Sequence, residues 1–117
     1  PQIKAKLRQL RAEKSRTQVM KSVERADVVI VNPTHYAVAL QYDPDETPAP
    51  LCVAKGIDDL ALRIKERAIE LDIVVEENAP LARALYASVE MDDIIPVEHF
   101  EAVAKVISYV YRVKGQR

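Results

Sequence analysis

Four short aliphatic runs, set apart by polar, acidic or proline-bearing stretches, organise the chain. Val28-Val29-Ile30-Val31 is β-branched and apolar at every position, which predicts a strand buried on both faces. Tyr36 to Tyr42 resumes an extended apolar pattern, so the polar turn at Asn32 to His35 joins two neighbouring strands. Leu51-Cys52-Val53-Ala54 reads as a third strand ended by Lys55-Gly56, and Ile73-Val74-Val75 as a fourth.

Helical spacing fills the gaps. Leu60, Ala61, Ile64, Ala68 and Leu71 recur along one face of a helix opened by Asp58 and Asp59, acids suited to its positive end. Asn78 is a cap, with Pro80 in the first turn of a short helix through Leu81, Ala84 and Leu85. A last helix starts at Ile94-Ile95-Pro96, is lined on one side by Phe100, Val103, Ala104, Ile107, Val110 and Tyr111, and closes at Lys114-Gly115. Interleaved strands and helices predict an α/β fold, a small mixed four-stranded sheet surrounded by helices. Ahead of it, Gln2 to about Lys21 is helix-forming, but Ile3, Leu7 and Leu10 give way to Lys14 and the stripe stops, which predicts a projecting N-terminal helix.

Composition sharpens this reading at three points. At 117 residues, 49% hydrophobic and with two glycines, the chain is one domain able to bury about two-thirds of its unfolded surface. A single cysteine, Cys52, excludes an internal disulfide; with two histidines it excludes the familiar zinc spacings, and its apolar surroundings make it a buried small hydrophobe in a reducing compartment. No apolar run approaches the ~20 residues of a spanning helix, and no signal-peptide pattern is present, so the piece is expected to be soluble.

The net charge of −1 hides an asymmetry. Eight Lys and Arg against Glu13 and Glu24 give residues 1–25 a charge of +6, leaving −7 on the remainder. Such a lead-in suits nucleic acid, an anionic membrane surface or the cytoplasmic flank of a membrane span, and equally a solvated helix. Nucleic acid is disfavoured, because the segment has no aromatic residue for stacking and the body is acidic. The segment from Asp43 to Pro50 carries three prolines and forms a stiff surface loop rather than a domain linker.

Candidate chemistry centres on Asn32-Pro33-Thr34-His35. Asn-Pro marks a turn on local grounds, since the residue before Pro is pushed from the helical region. It also limits what the backbone can do. The Pro33 nitrogen carries no hydrogen, so the usual asparagine deamidation is blocked. The side-chain amide of Asn32 can instead attack its own carbonyl, close a succinimide and expel the Pro33 amine. His35, an imidazole with a reference pKa of about 6.5, can carry a proton to that amine, and the Thr34 hydroxyl can orient the amide or the carbonyl. From the residues alone, a structural turn and a self-cleaving bond both stand open.

Elsewhere the familiar constellations are missing. Gly56 and Gly115 stand alone, so no glycine loop cradles a phosphate, and there is no metal-ligand cluster or nucleophile elbow. No cofactor is expected, and an external hydrolase built on His35 lacks a nucleophile partner. The pairs Asp58-Asp59, Glu76-Glu77 and Asp92-Asp93 read as helix caps or solvated edges. His99 falls on the surface, and Arg83 is exposed and able to receive an acidic partner.

Asn32-Pro33-Thr34-His35-Tyr36, Val53-Ala54-Lys55-Gly56, Pro80-Leu81-Ala82-Arg83-Ala84-Leu85-Tyr86 and Ile95-Pro96 together resemble the cytoplasmic domain of the FlhB/YscU family, over about residues 20–114. The second and third stretches resemble the flagellar members more than the injectisome members. The resemblance implies an inner-membrane component of the type III export apparatus whose cytoplasmic domain cleaves itself between Asn32 and Pro33. It makes Asn32 the cyclising residue, Pro33 the new amino terminus, and Thr34 and His35 the assisting pair. This is a single-turnover reaction on the chain's own backbone rather than conventional enzyme turnover.

By the same resemblance, cleavage lets the machine switch export from rod and hook components to filament components. The implied partners are another large export-gate membrane protein, a hook-length ruler, export substrates and their chaperones. Residues 1–25 become the basic linker from the membrane part, 26–114 the self-cleaving domain and 115–117 a tail. Ala49 and Pro50 of the loop, with Ala104 and Ile107 of the last helix, are candidates for a small apolar docking place for substrates; ordinary helix-to-sheet packing accounts for the same residues.

Overall fold

The computed structural model describes residues 16–33 and 35–114. Helix α1 covers residues 16–22 and runs into a 3-10 turn, Val23–Arg25. The sheet strands are β1 (Val28–Asn32), β2 (Tyr36–Gln41), β3 (Leu51–Ile57) and β4 (Val74–Glu77). Helix α2 (Asp58–Glu70) joins β3 to β4; α3 (Ala79–Ser88) and α4 (Phe100–Val113) follow.

The sheet order is β3-β2-β1-β4. β1 pairs antiparallel with β2 and parallel with β4, so the sheet is mixed and β1 lies inside it. That position explains why four consecutive apolar residues are needed: Val28 and Ile30 enter the core beneath α3 and α4, while Val29 and Val31 enter the core beneath α1 and α2. The result is a three-layer α/β/α arrangement. α1 contributes Val19, and the 3-10 turn Val23, to the second core. The sequence predicts a projecting helix from Gln2 to about Lys21; over residues 16–22 it instead lies against the sheet, because Val19 and the following Val23 are buried in that core, while residues 1–15 lie outside the described residues.

A bulge lets β3 feed both cores. Ala39 pairs with Ala54 but Leu40 with Cys52, leaving Val53 without a partner. The extra residue inverts the alternation, so Cys52 joins the α3/α4 core while Val53 and Ala54 join the α2 core.

Several boundaries differ from the sequence-based expectation. Lys55-Gly56 does not end the third strand: β3 runs on to Ile57, with Gly56 paired to Ala37. Glycine is required there by close approach rather than by a turn, for a Cβ on Gly56 would sit 2.7 Å from Leu60 Cγ and 3.0 Å from Ile64 Cδ1. The second strand stops at Gln41, one residue short of Tyr42, whose amide instead donates to Asp27 Oδ2 at 2.7 Å. β4 begins one residue later than expected and extends to Glu77.

Ile94-Ile95-Pro96 does not start a helix either. Asp92 to Ile95 lies along the free edge of β3: Cys52 N–H donates to Asp93 O (2.9 Å), Asp92 N–H to Cys52 O (2.6 Å) and Ile95 N–H to Pro50 O (3.0 Å). Those bonds use backbone groups that an edge strand would otherwise leave open. The last helix begins at Phe100, after a 3-10 turn at Val97–His99 that leaves His99 half-buried. Its buried stripe is Val103, Val106, Ile107 and Val110; Phe100, Ala104 and Tyr111, placed on that stripe by sequence, are exposed. Both sets follow helical i, i+3, i+4, i+7 spacing; the buried one is rotated towards Val106, which joins Val103, Ile107 and Val110 in the core with Val28 and Ile30. Gly115, expected to close the helix, lies outside the described residues.

Other local expectations hold. Asn78 caps α3, its side-chain oxygen accepting the Leu81 N–H at 3.2 Å, with Pro80 in the first turn. Cys52 is fully buried, and burial pushes its thiol up to about 12. Arg83 is exposed on α3.

Candidate functional site: the turn between β1 and β2

Two buried strands deliver the turn. β1 and β2 pair up to Asn32 and Tyr36, and the chain reverses between them within three residues, too short a span for anything but a tight turn. The His35 N–H donates to the Asn32 carbonyl oxygen at 2.9 Å, closing the four-residue turn. The bond places a donor on the carbonyl of the Asn32-Pro33 peptide. A carbonyl so engaged is polarised towards attack at carbon, because charge developing on its oxygen already faces a hydrogen-bond donor. Asn32 and Pro33 are half-buried and His35 is exposed; Thr34 lies outside the described residues.

The turn is held from three sides. Val31 O accepts from Asn78 N–H (2.9 Å) at the start of α3, fixing the strand just before Asn32. Tyr36 packs on Tyr86 of α3, ring centroids 5.2 Å apart, and Lys55 lies over the Tyr86 ring at 4.4 Å while its Nζ donates to the Tyr86 carbonyl at 3.0 Å. Lys55 is only 16% exposed and its nearest carboxylate is Glu90 at 3.9 Å. Burial, with the Glu90 carboxylate and Tyr36 nearby, pushes the Tyr86 hydroxyl above its ordinary value.

The third support comes from α2. Asp58 N–H donates to the His35 carbonyl (2.9 Å), and Asp58 Oδ1 lies 3.7 Å from His35 Nδ1. Asp58 opens α2 as an acid in its first turn, as the sequence predicts; its side chain makes no cap hydrogen bond, and its backbone takes φ 51°. The signal that could have found it is the register, since a β3 extended to Ile57 opposite Tyr36 brings the following residue beside His35.

The candidate docking residues occupy a separate place. Ala49, Pro50, Ala104 and Ile107 come together along one groove of ≈ 310 Å³ between the proline loop and α4, flanked by Tyr42, Phe100 and Tyr111. Ala49 and Ile107 are themselves buried, so packing accounts for part of their character; Ala104 is exposed. The rest of the proline loop is largely exposed and is pinned by Thr47 Oγ1 donating to Ala49 O at 2.7 Å.

The basic lead-in meets the acidic body where it is described. Arg16 approaches Asp59 (3.8 Å) and Arg25 approaches Asp92 (3.7 Å); the polarity is reversed at Glu24, which accepts from Arg67 (3.3 Å). These are exposed pairs and orient more than they stabilise. Among the described residues no group of acidic, His and Cys side chains is arranged to hold a metal ion, and no helix is long and apolar enough to cross a membrane.

Comparison with known proteins places this turn in context. The model of the FlhB HrpN YscU SpaS Family matches residues 1–110. The flagellar biosynthetic protein FlhB of Bacillus subtilis (strain 168) is 49% identical over 114 residues, covering 97% of this chain and 32% of that protein. FlhB of Helicobacter pylori is also 49% identical, over 117 residues, 100% of this chain and 32% of that protein. The chain thus spans about a third of the length of these relatives.

Among solved structures, the cytoplasmic domain of FlhB from Shewanella putrefaciens superposes with a TM-score of 0.81 at 43% identity, covering 85% of this chain and 76% of that one. A mutated EscU C-terminal domain gives 0.75 at 37% identity, over 79% and 92% of the two chains. With the family model covering nearly the whole sequence and the fold shared with both flagellar and EscU domains, the chain belongs to the FlhB/HrpN/YscU/SpaS family, and it is similar to flagellar FlhB proteins.

Proposed function

We propose that this chain is the cytoplasmic domain of a flagellar type III export-gate protein and that it cuts its own backbone between Asn32 and Pro33. One observation supports the cut above the others: the carbonyl that must be attacked accepts the His35 N–H at 2.9 Å. Asn32 Nδ2 adds to its own backbone carbonyl carbon, closing a five-membered ring. The C–N bond to Pro33 then breaks. One proton leaves the amide nitrogen and one arrives on the Pro33 nitrogen, so a single imidazole at His35 can relay it without net consumption. The products are a succinimide at Asn32, which water later opens, and a free prolyl amine. Thr34 is assigned the orientation of the amide or carbonyl, as the family resemblance implies.

In the parent protein, anchored in the inner membrane with this domain on its cytoplasmic face, the cut relaxes the turn and alters the surface around residues 32–50. That change would shift export from rod and hook to filament components, with the hook-length ruler, the other large gate protein, substrates and chaperones as partners. The groove at Ala49, Pro50, Ala104 and Ile107 is proposed to take an apolar segment of a substrate. Ala104→Glu, which puts a charge on an exposed helix position, should block export while leaving the fold intact; normal export in a folded variant would remove the groove from the reading.

The test of the cut is intact mass under denaturing conditions, beside Asn32→Ala. Fragments ending at Asn32 and starting at Pro33 in the parent, absent from the variant, are expected. One uncut mass from folded parent that persists on incubation would return the turn to a structural role and leave the domain a binding scaffold.

A further inference from the structure

The β2–β3 register brings a residue from the start of α2 into the turn. Tyr36 pairs with Ile57, so Asp58 emerges beside His35 and engages it at two points: main-chain N–H to the His35 carbonyl at 2.9 Å, and Oδ1 at 3.7 Å from Nδ1. The two side chains are 62% and 73% exposed, so packing does little to fix the imidazole; the Tyr36 ring meets it only edge-on at 6.5 Å. Asp58 reaches this place through φ 51°, a left-handed conformation that Gly, Asn and Asp tolerate best. Asp59, the adjacent acid, faces elsewhere, 3.6 Å from Arg63 and 3.8 Å from Arg16.

We propose that Asp58 is a positioning residue for self-cleavage, an assignment that rests on the cut at Asn32-Pro33. Its carboxylate orients the His35 ring through Nδ1 and stabilises the imidazolium that exists while the proton passes from the Asn32 amide to the Pro33 nitrogen. Its main chain separately steadies the turn at the His35 carbonyl. The two roles can be parted, because only the first needs the carboxylate.

The experiment is a pulse of cell-free synthesis of the 117-residue chain, followed by a chase in which the uncut precursor is quantified under denaturing conditions. Asp58→Asn and Asp58→Gly both accept the left-handed backbone, and Asp58→Ala does not. Thermal unfolding of each is read in the Asn32→Ala background. The carboxylate role predicts that Asn, Gly and Ala all cleave about two- to fivefold more slowly than Asp, the range set by an exposed ion pair. It also predicts that the parent slows between 0.05 M and 1 M NaCl towards the Asp58→Asn rate, while Asp58→Asn is indifferent, because salt screens an exposed pair.

Parental cleavage by Asp58→Asn, or the same salt response in both proteins, would overturn the assignment. So would rates that follow stability in the order Gly, Asp, Ala, the mark of a purely structural role. Failure of the parent to cleave at all is a different result, and it removes the proposed cut itself.

Discussion

Replacing Gly56 by Ala should destabilise the domain by crowding two side chains of α2, Leu60 and Ile64. The added methyl would lie 2.7 Å from Leu60 Cγ and 3.0 Å from both Leu60 Cδ2 and Ile64 Cδ1, against an ordinary approach nearer 4 Å. Leu60 is only half-buried and can turn towards solvent, but Ile64 is fully buried, so α2 must lift from β3 or strain a rotamer. Overpacking of this kind costs about 1–3 kcal/mol, offset by up to about 1 kcal/mol from the reduced freedom of the unfolded chain. A net loss of about 1–2 kcal/mol should lower Tm by roughly 4–16 °C for a domain of this size. Urea unfolding in the Asn32→Ala background keeps a single covalent species in view. Leu60→Ala should be less harmful on top of Gly56→Ala than in the parent, with a coupling of about 1 kcal/mol, because it removes the nearest clashing atoms. A Gly56→Ala variant as stable as the parent, or additive losses in the double mutant, would refute the close-approach account.

Two further outcomes test the core and the start of α3. Cys52, its thiol raised from 9.0 to about 12 by burial, should resist alkylation at pH 8 in the folded chain and react at once in denaturant. Because its folded pKa lies above the unfolded one, its contribution to stability is present below pH 9 and is lost as pH rises towards about 12, at up to about 1.4 kcal/mol per pH unit; Cys52→Ala should lack this part of the alkaline decline. Asn78→Ala should cost about 1 kcal/mol by leaving the Leu81 N–H without its cap, measured as a shift of the urea midpoint at constant slope.

Much of the fold is legible in the sequence because its signals are local. β-branched runs, helical spacing and the Asn78 cap each report a physical preference that tertiary contacts here reinforce. What escaped was relational. The continuation of β3 through Lys55-Gly56 depends on Ala37 and Tyr36 lying opposite, and local turn chemistry at glycine pointed the other way. The strand-like run of Asp92 to Ile95 exists because β3 has an open edge to cover. At the turn, Asn32, Pro33 and His35 stand out as candidates by their chemistry alone, since the proposed succinimide closure involves neighbours in the chain. Asp58 and Tyr86 could not, because each reaches the site from another element.

The same architecture decides what a cut would change. β1 is flanked by β2 on one side and β4 on the other, and both its faces are covered. Releasing the piece that ends at Asn32 would expose Val19, Val23 and Val28 through Val31, six buried aliphatic side chains worth on the order of 10 kcal/mol, and would strip two ladders of hydrogen bonds. The translational freedom regained is of similar size, so the ladders decide the balance in favour of association. Cut chains should therefore co-elute as one species in native gel filtration and separate only in denaturant. The turn bond from His35 N–H to Asn32 O is then what is set free, next to a new amine at Pro33. If the pieces parted under native conditions, the cut would act by dismantling the domain rather than by resurfacing it.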